Sequence, residues 1–137
     1  MDINIRLNFD DDTPIYRQIM MEIERAIARG ELAPGRKLPS QREMAVLSGT
    51  NPNTVQRAYR EMEIEGVIET RRGRGTFVRE DSEAILRIRR QLAPEAVDAF
   101  IAKMKSLGLT AQMIRQIVAD RLEEEGPGSG KEGSDDA

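Results

Sequence analysis

The sequence predicts a mainly α fold carrying one small β-hairpin, on three observations. Apolar residues recur every three or four positions along successive stretches, the period that lays them on one face of a helix. Those stretches begin at Ser, Thr or Asn and stop at Gly, residues suited to satisfying the free N–H and C=O groups of helix ends. Two short β-prone runs, Val67-Ile68-Glu69-Thr70 and Thr76-Phe77-Val78, flank the tip Arg71-Arg72-Gly73-Arg74-Gly75, the pattern of a hairpin.

In chain order, residues 1–12 form an N-terminal arm in which Ile3, Ile5, Leu7 and Phe9 alternate with strand period before the acidic run Asp10-Asp11-Asp12. The arm reads as a mobile segment or a short edge strand as readily as it does as a functional element. Thr13-Pro14 supplies an N-cap and a proline at the first helical position. Ile15, Ile19, Ile23 and Ile27 then make one apolar stripe ending near Gly30. Ser40 with Glu43 is a capping box opening a short helix whose inward residues are Met44, Ala45 and Leu47. Gly49-Thr50 breaks that helix, and Asn51-Pro52 starts another in which Val55, Ala58, Tyr59 and Met62 face inward. Two helices around so tight a turn, followed by a hairpin, describe a winged helix-turn-helix over residues 13–80.

Residues 81–125 are helical again, with Pro94 expected to kink or divide the first helix and a second running from Thr110 to Gly126-Pro127. Residues 126–137 are Gly, Ser and acid with nothing to bury, and are expected to be disordered.

The composition narrows the chemistry. With 137 residues, 39% of them apolar, seven Met and no Trp, the chain can build a modest aliphatic core, either one compact domain or a small one with a helical appendage. It contains neither Cys nor His, which removes zinc sites, disulfides, thiol nucleophiles and imidazole bases together. No paired acids sit in an apolar segment where burial would tune them, so no enzyme, metal or cofactor is expected. The Glu123-Glu124-Glu125 cluster reads as a solvated helix end. Without a long apolar run or a basic, then apolar, start, the chain reads as cytoplasmic with no membrane contact.

The net charge of −3 hides a division. Residues 1–12 hold one Arg against four Asp, residues 13–79 hold 12 basic against eight acidic, and residues 80–137 hold eight against 12. A basic module joined to an acidic one suits double-stranded DNA in the first and protein contacts in the second.

The helix after the tight turn would enter the major groove, where Asn and Gln pair with adenine and Arg with guanine. That makes Asn51, Asn53, Thr54, Gln56 and Arg57 candidate contacts, Asn51 also serving as a cap and Arg57 as a phosphate ligand. Arg71, Arg72, Gly73, Arg74 and Gly75 at the hairpin tip suit a minor groove or phosphates, and Arg36, Lys37 and Arg42 suit phosphates. Beyond the winged module, Ile85, Ile88, Leu92, Val97, Phe100, Ile101, Met104, Met113, Ile114, Ile117 and Val118 exceed what so small a module can cover. A homodimer is the economical solution, and helices folded back on their own module the competing one. A protein-interaction scaffold that never touches DNA is the rival function. A small-molecule effector between the C-terminal helices is a further possibility.

Gly30-Glu31-Leu32-Ala33-Pro34-Gly35-Arg36-Lys37-Leu38-Pro39-Ser40-Gln41-Arg42-Glu43-Met44-Ala45, Asn51 to Tyr59, and Glu65 to Val78 resemble, in order, the signature of the GntR family of bacterial regulators. The recognition-helix sequence and short helical tail are similar to its YtrA-type branch. The resemblance implies a homodimeric repressor of a palindromic operator, often of a transporter operon. It carries DNA contacts to Arg42, Asn51, Asn53, Thr54, Gly73, Arg74 and Gly75. Many members hold Arg where this sequence has Pro52 and Gln56, a departure that implies a more A·T-dependent operator.

Overall fold

The computed structural model describes residues 3, 5–9 and 11–126. In order they form α1 (Ile15–Ala28), α2 (Gln41–Ser48), α3 (Pro52–Ile64), β1 (Ile68–Arg71), β2 (Gly75–Val78), α4 (Ser82–Ser106) and α5 (Ala111–Glu125). The chain divides into two compact units, Met1–Leu92 and Ala93–Ala137. The expected tail from residue 127 onward lies outside the described residues.

The first unit is built on α1. Its four-residue repeat delivers Ile19, Ile23 and Ile27 to a core shared with Met44, Val55, Ala58, Met62, Leu38, Ile68 and Val78. Pro14 is the N-cap of α1, not its first helical residue as the Thr13-Pro14 pair suggested, because its carbonyl already accepts the Arg17 and Gln18 N–H groups. Near the other end, the carboxyl of Glu24 is pushed up to about 7, first by burial and then by the charge of Glu65.

A raised carboxyl pKa means the folded chain keeps a proton that the unfolded chain has already released. Glu24 therefore subtracts stability as pH rises from about 4.5 to about 7, and the penalty is fully present above that window. Discounted for partial exposure, it is on the order of 1–2 kcal/mol. Glu24→Gln is expected to melt higher than the parent at pH 8, with the difference shrinking at pH 5; thermal melts at the two pH values check this.

The described residues of the arm dock on the core. No strand forms among its described residues, but Ile3, Ile5 and Leu7 lie against the core. The buried Gln18 amide fixes it by accepting from Asn8 N–H at 2.7 Å and donating to the Asn8 and Thr13 carbonyls, each at 2.9 Å.

Of the two outcomes expected at Pro94, division does not occur: α4 is one helix through it, the fixed φ of proline being compatible with a helix even though its missing N–H forfeits one backbone bond. Its first turns belong to the winged unit: Ile88 is buried in the core, and Ile85 and Leu92 pack against it. Of these three side chains, named above as candidates for a dimer contact, Ile88 is buried within the chain, while Ile85 and Leu92 are half-buried and keep part of their surface in solvent. Arg87 donates to the Glu65 carbonyl at 3.1 Å and Arg89 to the Ala28 carbonyl at 3.2 Å, so cations cap the C-terminal ends of α3 and α1.

In the second unit, Thr110 caps α5 by accepting from Met113 N–H at 3.2 Å. Ile114 is buried and Ile101, Met104 and Val118 are half-buried. Val97, Phe100, Met113 and Ile117 are 40–50% exposed. No helix among the described residues is long and apolar enough to cross a membrane.

Candidate nucleic-acid interface

The reading head begins with two caps. Ser40 Oγ accepts from Glu43 N–H at 3.1 Å while Glu43 Oε1 accepts from Ser40 N–H at 2.8 Å, so α2 starts at a fixed point. α2 ends at Gly49, whose φ of 70° lies in the left-handed region and reverses the chain within a residue. Asn51 Oδ1 then accepts from Thr54 N–H at 3.0 Å and caps α3, with Pro52 at the first helical position.

Tyr59 ties α3 to the segment leading into α2, its buried hydroxyl donating to the Pro39 carbonyl at 2.7 Å. Burial, and then Glu43, pushes that phenol up, so it stays a neutral donor. One inward residue differs from the pattern. Leu47 is 45% exposed, and Ser48 is buried in its place. Its hydroxyl finds partners in the Met44 carbonyl and Thr50 Oγ1, so burying it leaves no polar atom unmet.

With Val55, Ala58, Tyr59 and Met62 buried, α3 turns Asn53, Gln56, Arg57 and Arg60 to solvent and leaves Thr54 half-exposed. Asn51, Asn53, Thr54 and Arg57 share an open cavity of about 290 Å³ with Ile15 and Tyr16 of α1. Arg42 is exposed on the first turn of α2.

The hairpin pairs Ile68 with Val78, Glu69 with Phe77, Thr70 with Thr76 and Arg71 with Gly75. Arg71 and Gly75 are therefore strand residues, the turn proper is Arg72-Gly73-Arg74, and Val67 precedes β1. Gly73 takes a φ of 74° and the Arg74 N–H closes the turn on the Arg71 carbonyl at 2.8 Å. Arg71 is occupied within the hairpin, pairing with Glu69 at 2.9 Å and lying 4.3 Å over the Phe77 ring. Arg72 and Arg74 are exposed and make no ion pair among the described residues.

Residues 35–38 flank β2: Gly35 N–H donates to the Val78 carbonyl, Val78 N–H to the Arg36 carbonyl and Leu38 N–H to the Thr76 carbonyl, each at 2.8 Å. Arg36 and Lys37 thereby join the wing. Lys37 crosses Gly75 so closely that a Cβ there would stand 2.7 Å from its Cε. The lysine chain can swing aside, but the Gly75 φ of 121° stays strained for any other residue. Gly75→Ala is expected to cost about 1–3 kcal/mol and to displace Lys37, seen as a lower melting temperature and weaker DNA binding.

Sequence reasoning missed two residues. Glu63 accepts from Thr70 N–H at 3.2 Å and from its hydroxyl at 3.4 Å, tying the wing to α3. Tyr16 supports Arg57, whose guanidinium carbon lies 3.9 Å from its ring centroid.

Two helices around a left-handed glycine, the second showing an amide- and guanidinium-bearing face, followed by a basic hairpin tied to it, define a winged helix-turn-helix DNA-binding protein. The family model described as "Bacterial regulatory proteins, gntR family" matches residues 15–78. The HTH-type transcriptional regulator YhcF of Bacillus subtilis (strain 168) is 48% identical over 104 residues, 76% of this chain and 86% of that one. The HTH-type transcriptional repressor YtrA of the same organism is 40% identical over 122 residues, 85% and 93% of the two chains. A GntR family transcriptional regulator from Listeria monocytogenes has a similar structure, with a TM-score of 0.67 and 38% identity, covering 82% of this chain and 98% of that one. The chain belongs to the GntR family, in its YtrA-like branch. It is a DNA-binding transcription regulator and not an enzyme.

Proposed function

We propose that the chain is a cytoplasmic homodimeric repressor that reads a palindromic operator, with residues 13–80 as the DNA-binding domain and residues 81–125 contributing the dimer contact. The observation that carries the DNA half of this reading is the exposure, on one helix, of Asn53, Gln56 and Arg57 beside the capped start at Asn51. In this reading Asn53, Thr54 and Gln56 meet base edges, while Arg42, Arg57, Arg36, Lys37 and the wing tip at Arg72, Gly73 and Arg74 meet the backbone.

The dimer is supported by the apolar side chains left in water on the second unit, Val97, Phe100, Met113 and Ile117. A two-fold partner hides such a face on both copies at once and sets two reading heads on half-sites about one helical turn apart. The repressor role is supported by the likeness to YtrA of Bacillus subtilis. A transporter operon is the expected target.

Gel shifts on the chain's own upstream region, combined with light scattering, test both halves. A dimer shifting a palindromic duplex, with affinity falling steeply as salt rises, is expected. Val97→Asp with Phe100→Asp should give a monomer with weakened binding. A parent protein that scatters as a monomer, or binding indifferent to salt, would contradict the reading.

A further inference from the structure

We infer that Tyr16, on α1 and outside the helix-turn-helix, is a positioning residue for DNA: its ring holds the Arg57 guanidinium in place to meet a backbone phosphate. The inference rests on the reading that the outer face of α3 meets DNA.

Arg57 is exposed and makes no ion pair or hydrogen bond among the described residues, yet it is held, with its guanidinium carbon 3.9 Å from the Tyr16 ring centroid. The platform is firm, because Ile15 and Tyr16 both pack against the core. A cation–π contact is made through the face of the ring and consumes no N–H, so the guanidinium keeps its donors for another partner. The other partners on hand favour an anion of duplex DNA. Arg57 shares its open cavity with Asn51, Asn53 and Thr54, and stands one helical turn beyond Asn53 on the same face of α3.

A free arginine on a helix surface loses much rotamer freedom when it binds, and one already stacked loses less. The ring therefore acts on affinity through Arg57 and not through any contact of its own. A phosphate contact carries no base information, so the effect should appear on any duplex.

The test is fluorescence anisotropy at several salt concentrations, on a duplex from the chain's own upstream region and on a scrambled duplex of equal length. Arg57→Ala should weaken binding to both and lower the slope of log affinity against log salt by about 0.9. Tyr16→Leu should weaken both about fivefold and lower the slope in the same direction, and Tyr16→Phe, which keeps the ring, should match the parent. The double variant Tyr16→Leu with Arg57→Ala should be no weaker than Arg57→Ala alone. In the unaltered chain, the ring current should move the Arg57 Hδ protons upfield, a measurement that needs no variant to fold.

A full salt slope in Tyr16→Leu beside a reduced one in Arg57→Ala would overturn the positioning role while leaving DNA binding intact. Arg57→Ala binding like the parent would overturn the phosphate role, and unshifted Hδ protons the stacking itself. A parent protein that binds neither duplex would instead sink the reading of the α3 face.

Discussion

Changing Arg72 and Arg74 together to Glu is expected to weaken duplex binding at 0.15 M salt by on the order of a hundredfold or more, with the melting temperature nearly unchanged. Both side chains are exposed at the turn, neither is paired among the described residues, and the φ of 74° at Gly73 belongs to the backbone between them. Reversal removes two attractive contacts and introduces two repulsions, whereas an exposed substitution away from any packed feature alters stability by only about 0.5 kcal/mol. The comparison with Arg71→Ala is informative. Arg71 is spent on Glu69 and Phe77, so its loss should disturb the hairpin more and the DNA affinity less. Titrations by anisotropy, with thermal melts of the same samples, check both statements.

The largest stability effect is expected from Ile23→Ala. Ile23 is fully buried at the middle of the α1 stripe, within the core shared with α3 and the hairpin. Truncation removes apolar contact and leaves a cavity that rigid neighbours fill only in part, a loss of about 2–5 kcal/mol. At roughly 4–8 °C per kcal/mol for a domain of this size, the melting temperature should fall by about 10 °C or more. A fall of less than about 3 °C would mean that the stripe is not the keel of the winged unit.

What could be read from the residues in order was whatever is local. The four-residue recurrence of Ile19, Ile23 and Ile27, the Ser40 to Glu43 box, the left-handed Gly49 and the inward set from Val55 to Met62 each depend on neighbours within a few positions. Features that depend on distant partners were not legible. Ser48 takes the interior in place of Leu47 because the packing of α2 on α3 sets which face of α2 is inward, while the Met44 carbonyl and Thr50 meet its hydroxyl locally. Ile88 looked like spare apolar surface, but the winged core takes it in, with Ile85 and Leu92 packed partly against that core. Pro94 carried the ordinary signal of a kink or a break, and only the break is absent, since α4 runs as one helix past it. In the interface, residue types announced the exposed amides and arginines, but nothing marked that Arg71 would be neutralised by Glu69 while Arg72 and Arg74 stay open. The Tyr16 and Arg57 pairing spans α1 and α3 and has no local trace.

DNA is expected on the outer face of α3 and the wing tip. Amide chemical-shift mapping of the full chain during titration with a duplex from its upstream region tests it directly. The largest shifts are expected at residues 51–57 and 72–75, with weaker ones at Arg42 and residues 36–37. Shifts confined to α5 and the second half of α4, with those segments silent, would contradict it.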